Sequence, residues 1–335
     1  MTLPGERLSL FYRRELARFA RLLRTGRTFF LTGHENPDGD TVGSEIALAS
    51  YLRGRGKSVV VGNASPVPSY CHFLKGIRRI GSAKRFGGRY DAAIVFECSG
   101  PERTGHVLDF KRQARAVVNV DHHAHHALYG DINLIDVDAS SNSEQLIRVF
   151  DALKHRLTVT EATALYLGLV TDTGRFQQEN TRVGSHTAAA RLLAAGVDVA
   201  EVHRHVYATR SPAAMRLMGR ALSGARLAAG GRVTVLRLTR RDFEETGADP
   251  SEVEDIPNMG LLPPTSWVSL FLRDTEERGK VKISLRGKSR VDLCRLAVSL
   301  GGGGHKNAAG AVLPGGIDAV EKKLLSVLSR ALGKR

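Results

Sequence analysis

Gly33-His34-Glu35-Asn36-Pro37-Asp38-Gly39-Asp40 decides how the first half of this chain folds. It follows the apolar run Thr28-Phe29-Phe30-Leu31-Thr32, which reads as a buried strand. Its Asn-Pro-Asp-Gly core is turn chemistry, since Pro presets φ and Asn, Asp and Gly tolerate a tight bend. Residues 41–52 then place Val42, Ile46, Ala49 and Leu52 on one helical face. A strand ends, a turn presents His34, Asp38 and Asp40, and a helix begins. Oxygen and imidazole donors at the carboxyl end of a strand suit Mn²⁺ or Mg²⁺. Asp40 as a plain cap of the helix from Thr41 is the competing reading.

Three further apolar runs end in the same side chains: Ala92-Ala93-Ile94-Val95-Phe96-Glu97, Val118-Asn119-Val120-Asp121-His122-His123 and Leu169-Val170-Thr171-Asp172. In a mainly parallel α/β sheet the carboxyl ends of strands gather along one edge, where ligands bind. Four such endings point to a dinuclear metal site more than to four unrelated caps.

The 335 residues are enough for two domains, and 42% hydrophobic with 25% charged residues is the balance of a globular protein in water. No apolar stretch is long enough to span a membrane. Residues 1–27 mix Glu6, Glu15 and many arginines with Leu8, Leu16, Phe19 and Leu23, an amphipathic helix and not a signal peptide. Cys71, Cys98 and Cys294 are scattered without CxxC spacing, which points to a reducing, cytoplasmic setting and away from a zinc site. The net charge of +15 favours anionic substrates, although arginine spread along the whole chain also fits a base-composition bias. With 6% aromatic residues, no long stacking platform for single strands is evident.

Strands at 28–32, 58–62, 92–97, 116–120 and 131–135 alternate with helices at 41–53, 143–153, 160–169 and 187–193. This predicts an α/β fold with a doubly wound, mainly parallel sheet. Residues 183–223 read as mostly helical. Strands at 232–238, 268–272 and 281–285 and helices at 292–299 and 317–332 predict a second, smaller α+β domain. The boundaries are 1–185 for a catalytic domain with the dinuclear site, 186–222 for a helical connection, and 223–335 for a substrate-binding domain. Between the last two helices lies Gly301-Gly302-Gly303-Gly304-His305-Lys306. Exposed glycine N–H groups with His305 and Lys306 would cradle an anion; a flexible linker is the alternative.

With these residues in view, the chain resembles the DHH phosphoesterase superfamily over roughly residues 28–310. Within it, the chain is similar to the NrnA-type branch of oligoribonuclease and 3′-phosphoadenosine 5′-phosphate (pAp) phosphatase proteins. His34–Asp40 looks like the first family motif, Asp121-His122-His123 the name-giving one, Thr171-Asp172-Thr173-Gly174-Arg175-Phe176 the fourth, and Gly301–His305 the signature of the associated DHHA1 domain. Glu97 stands where the family usually has Asp, and Gly100 where a second acid is common. His126 replaces a typical Asn, with His125 beside it in a loop read as solvated, and Gly287 replaces a common Ser.

The resemblance implies two Mn²⁺ ions, with Mg²⁺ or Co²⁺ as substitutes. His34 and Asp38 would bind one ion, Asp40, His122 and Asp172 mainly the other, and Glu97 would bridge. His123 would lie beside the scissile phosphate, with Asp38, Asp40 and Asp172 as catalytic carboxylates. Arg286, His305 and the run Gly301, Gly302, Gly303 and Gly304 would hold the substrate's terminal phosphate. The implied activity is hydrolysis of short oligoribonucleotides to mononucleotides, with release of phosphate from pAp. Cyclic dinucleotides or their linear products remain open as substrates. A nucleotide- or RNA-binding module with a dead site also remains open, though the intact ligand set argues against it. The implied partners are short RNA or small phosphorylated nucleotides and no membrane, with a homodimer left open.

Overall fold

The computed structural model describes residues 8–123, 127–208, 210–253, 255–288 and 291–333. His125 and His126 lie outside the described residues, and for His305 only the backbone is described. The chain divides into two compact units, 1–208 and 209–335. The first runs α1 (Leu10–Thr25), β1 (Thr28–Thr32), α2 (Gly39–Gly54), β2 (Ser58–Asn63), β3 (Ile80–Ser82), β4 (Ala92–Phe96), α3 (Phe110–Gln113), β5 (Val117–Asp121), β6 (Ile132–Ile135), α4 (Asn142–Ala152), α5 (Val159–Asp172), α6 (Val183–Ala194) and α7 (Val199–Tyr207).

Its six strands pair in the order β3-β2-β1-β4-β5-β6, all parallel. The order reverses between β1 and β4, so the crevice where an open α/β sheet takes its ligand opens at the carboxyl ends of those two strands. The alternation of a pleated strand decides what lies on each face. Phe29, Leu31, Ala92, Ile94 and Phe96 pack into one large core with α1, α2, α4 and α5. Phe30 and Ala93 face the other way, toward Tyr90, Val107 and Leu108. That second face is covered by residues 83–91 and 97–114, the latter holding the four-residue α3.

The two helices nearest the crevice, α2 and α5, touch backbone to backbone. A Cβ at Gly43 would lie 2.3 Å from Ala164 O, and one at Gly168 would lie 2.5 Å from Asp40 Oδ1 and 2.2 Å from Ser143 Oγ. Gly168→Ala is therefore expected to cost about 1–3 kcal/mol, the cost of overpacking a tight interior, and to lower Tm. An unchanged thermal melt would mean that the two helices part without penalty.

The second unit runs α8 (Pro212–Ser223), β7 (Arg226–Ala228), β8 (Val233–Leu238), α9 (Arg240–Thr246), α10 (Ile256–Met259), β9 (Val268–Asp274), β10 (Lys280–Gly287), α11 (Leu293–Ser299), β11 (Gly303–His305), β12 (Ala308–Pro314) and α12 (Ile317–Gly333). Its sheet has the order β11-β12-β10-β9-β8-β7, antiparallel except for the β8–β9 pair. Leu270, Leu272, Val281, Ile283 and Leu285 pack under α12 through Val320, Leu324 and Leu328. Leu236, Leu238 and Phe271 pack on the opposite face against Leu217 and Ala221 of α8.

The helices of 186–222 are divided between the units: Ala188, Leu192 and Val202 join the first core, Leu217 and Ala221 the second. The glycine run, read as a loop between helices, instead enters edge strand β11, paired with β12. Gly302 and Gly304 are needed there because a Cβ would meet Gly310 O at 2.1 Å and Ala308 O at 2.5 Å, whereas Gly303 has open space. Among the described residues no helix is long and apolar enough to cross a membrane.

Candidate metal centre

The turn after β1 is built by its own carboxylates. Asp38, not Asp40, caps α2: its Oδ1 accepts from Asp40 N at 3.1 Å and Thr41 N at 3.0 Å. Its other oxygen, Oδ2, stands 3.9 Å from His34 Nε2. His34 Nδ1 lies 2.8 Å from the Glu35 carbonyl, which leaves Nε2 turned toward Glu97 Oε2 at 3.7 Å. Asn63 holds the start of the turn, accepting from Gly33 N at 3.0 Å while its amide donates to buried Glu45. Asp40, fully buried in the first turn of α2, accepts from Asn142 N at 2.6 Å and Ser143 N at 2.9 Å. Its carboxylate thus sits on the N-terminus of α4, a favourable place for negative charge.

Glu97 closes β4 with a left-handed backbone, φ 57°. Its Oε1 lies 3.0 Å from His122 Nε2, and its Oε2 accepts from Thr41 Oγ1 at 3.3 Å. His122 Nε2 lies 3.3 Å from Asp172 Oδ2. Asp172 comes from the last turn of helix α5 and not from a strand, so the reading of four sheet-edge endings is corrected to three strand ends and one helix end. His123 Nδ1 donates to Asp121 Oδ1 at 2.7 Å. That same oxygen accepts the backbone N–H groups of His122 and His123.

His34, Asp38, Asp40, Glu97, His122 and Asp172 are therefore brought together. The donor atoms fall into sets of His34, Asp38 and Glu97; Asp40, Glu97, His122 and Asp172; and Glu97, His122 and His123, each set within 4.8 Å and each containing Glu97. Arg286 and the glycine run belong to the second unit.

The electrostatics are those of a crowd of acids in need of cations. Burial works against the charge on Glu97, yet hydrogen bonds from His122 and His34 hold it well below the usual carboxylate range. Burial opposes protonated His122 and His34 too, but Glu97 outweighs it and pushes them up to about 11 and about 9. Burial first, then the charge of Glu97, raises Asp40 and Asp172. Asp172 Oδ2 is a buried oxygen without a hydrogen bond, and so is Asp121 Oδ2. Buried carboxylate oxygens without a hydrogen bond are costly. Oxygen and imidazole donors with one such oxygen aimed into the cluster fit a bound divalent cation.

Two contributors escaped the sequence reading. The sequence marks Asp121 as part of a motif, and the structure adds that it orients His123. The turn Ser140-Ser141-Asn142-Ser143, which supplies the N–H groups for Asp40, is buried throughout. It carries a legible signal, because Ser141 caps Glu144 N in the Ser-x-x-Glu spacing of a helix start.

A parallel sheet with this acid–imidazole cluster at its switch point is the framework of an α/β enzyme built to take divalent cations. Comparison with known proteins narrows the class. Residues 28–169 match the DHH family, N-terminal domain, and residues 230–334 match the DHHA1 domain. The chain is 30% identical to the bifunctional oligoribonuclease and PAP phosphatase NrnA of Thermus thermophilus over 312 residues, 90% of each chain. It is 27% identical to the protein of that name from Bacillus subtilis, over 85% of this chain and 88% of the other. In fold it is similar to an exopolyphosphatase-related protein from Bacteroides fragilis, with a TM-score of 0.87, 24% identity, and coverage of 96% and 98% of the two chains. The chain belongs to the DHH phosphoesterase family and carries a DHHA1 domain as its second unit.

Proposed function

We propose that the protein is a Mn²⁺-dependent phosphodiesterase that trims short oligoribonucleotides to mononucleotides and releases phosphate from pAp. The observation that carries this reading is the two-part donor cluster sharing Glu97, in a chain similar along most of its length to relatives bearing that activity in their names. His34 and Asp38 would hold one ion, Asp40, His122 and Asp172 the other, and Glu97 both. Mg²⁺ or Co²⁺ would suit the same donors. Bound there, divalent ions supply Lewis acidity and lower the pKa of a water.

The chain's own groups do the rest. Asp121 fixes the His123 ring through Nδ1, so His123 can donate to the phosphate being cleaved and stabilise the charge that develops on it. In the second unit, Arg286 Nε donates to Asn258 Oδ1 at 3.1 Å, which holds the guanidinium in one direction. With His305 and the run Gly301–Gly304 it would grip the terminal phosphate. A charge-assisted contact of this kind contributes ~1.5–3 kcal/mol. Arg286→Ala is expected to raise KM roughly ten- to a hundredfold and to leave Mn²⁺ affinity unchanged by calorimetry. Loss of Mn²⁺ binding in this variant would refute the assignment of separate roles.

The reading as a whole is tested by initial rates with Mn²⁺ on pAp, RNA from dimers to 24-mers, DNA, cyclic dinucleotides and pyrophosphate. Few aromatic residues can stack further bases, so RNA turnover should peak at about two to five nucleotides. A rate that climbs steadily with length would identify a processive nuclease instead.

A further inference from the structure

Strand β10 turns one edge of its pleat to the core and the other to a cavity of ≈ 730 Å³ within the second unit. Val281, Ile283 and Leu285 are fully buried, while the alternate residues Lys282, Ser284 and Arg286 line the cavity. Arg273 of β9 also lines it and stands directly opposite Lys282 in the antiparallel register. Two like charges in opposed positions destabilise a sheet. Neither the Lys282 nor the Arg273 side chain has an ion pair or hydrogen bond among the described residues. Among the described residues, three carboxylates line the same cavity, Asp249, Asp255 and Glu276. Asp255 is paired with Arg210. Glu276 lies in the turn between β9 and β10, beyond Lys282, and its charge reaches Arg273 without forming an ion pair. Asp249 lines the cavity beside Pro250, Val253 and Pro257.

We infer that this row is a phosphate track that measures RNA length: Arg286 takes the terminal phosphate, Ser284 and the Lys282–Arg273 pair take those that follow, and Glu276 ends the track by repelling the next. The inference rests on the oligoribonucleotide reading above. Alternate residues of a strand are about 6.8 Å apart, a step comparable with one extended nucleotide. The opposed cations gain a phosphate counter-charge only from a substrate long enough to reach them. Contacts to phosphate alone carry no base information, so the track reads length and not sequence.

The test compares Lys282→Glu and Glu276→Lys, both exposed positions whose replacement leaves the core intact. The quantity read is the ratio of kcat/KM for a 5′-phosphorylated RNA tetramer to that for the dimer. Lys282→Glu should lower the ratio roughly tenfold, the loss of one charge-assisted contact, while Glu276→Lys should raise it and extend turnover to hexamers. Anisotropy titration of a fluorescent tetramer without added metal reads binding apart from turnover. Lys282→Ala should reduce its log K against log salt slope by about 0.7, one phosphate contact on a single strand. Wild-type protein that binds the tetramer but cleaves no RNA would overturn the hydrolase reading alone. Equal losses on dimer and tetramer, or wild-type tetramer affinity and length profile in both charge-reversed variants, would overturn the track.

Discussion

Asp172→Asn should lose more than about a hundredfold in turnover and yet melt at a higher temperature than the wild-type protein when no metal is added. Loss of an outer partner of a metal ligand already costs about 10–100-fold, so loss of the ligand itself should cost more. The opposite sign in stability is expected above about pH 8, where Asp172, pushed up to about 8 by burial, carries its charge, and it follows from where the residue sits. It occupies the last turn of α5, where the helix dipole disfavours negative charge. It also faces Asp40 and Glu97, whose repulsion works against the attraction of His122, 3.3 Å from its Oδ2. Relief of such an end-charge is worth about 0.3–1 kcal/mol, and because the side chain is only 24% exposed, solvent screens it little and the upper end applies. A chain of this size should then gain up to about 2 °C in Tm. Asp40 is a less clean probe. Its removal would strip buried N–H groups of Asn142 and Ser143 of their partner, a cost of about 1–3 kcal/mol, so lost activity there mixes with lost fold. Melting curves with and without Mn²⁺ check the prediction. A metal-free Asp172→Asn protein that melts lower than wild type would mean the carboxylate is structural.

The first sheet was legible because each of its central strands is a short apolar run closed by turn or ligand chemistry. β1 has the same ends in the sequence reading and the structure, and β2, β4, β5 and β6 shift by a residue at one end or both. The gathering of His34, Asp38, Glu97 and His122 follows from that topology alone. Asp172 was harder to place, since Leu169-Val170 is apolar in a helix or a strand alike and periodicity cannot separate the two in so short a run. What brings it to the site is the close contact of α2 with α5 through Gly43 and Gly168, a tertiary fact no local pattern announces. The β11–β12 hairpin was missed for another reason. Glycine is depleted in strands, and here its absence of a side chain serves close backbone approach, not looseness. The role of Asp121 depends on a side chain curling back to its second neighbour, His123, which spacing alone does not reveal.

Glu97→Gln should abolish turnover and Mn²⁺ loading together, whereas Glu97→Asp should keep about a tenth or more of wild-type activity. Glu97 is common to all three donor sets, and its two oxygens face different partners, Oε1 toward His122 and Oε2 toward His34 and Thr41. A carboxylate is therefore asked to serve both halves of the cluster, and an amide of the same shape can offer neither its charge nor its second acceptor. The comparison is unusually free of side effects. Glu97 sits at φ 57°, and every residue with a Cβ bears that left-handed strain, about 1–2 kcal/mol. Aspartate tolerates the region somewhat better, so shortening by one methylene costs reach but not backbone stability. Glutamine, in turn, deprives His122 and His34 of the anion that does most to hold their protons, leaving Asp172 and Asp38 as their remaining partners. Metal content after dialysis against Mn²⁺ separates the outcomes: two ions expected for wild type, fewer for Glu97→Gln. Equal activity and equal metal content in the two variants would make Glu97 a structural acid and move the shared ligand elsewhere.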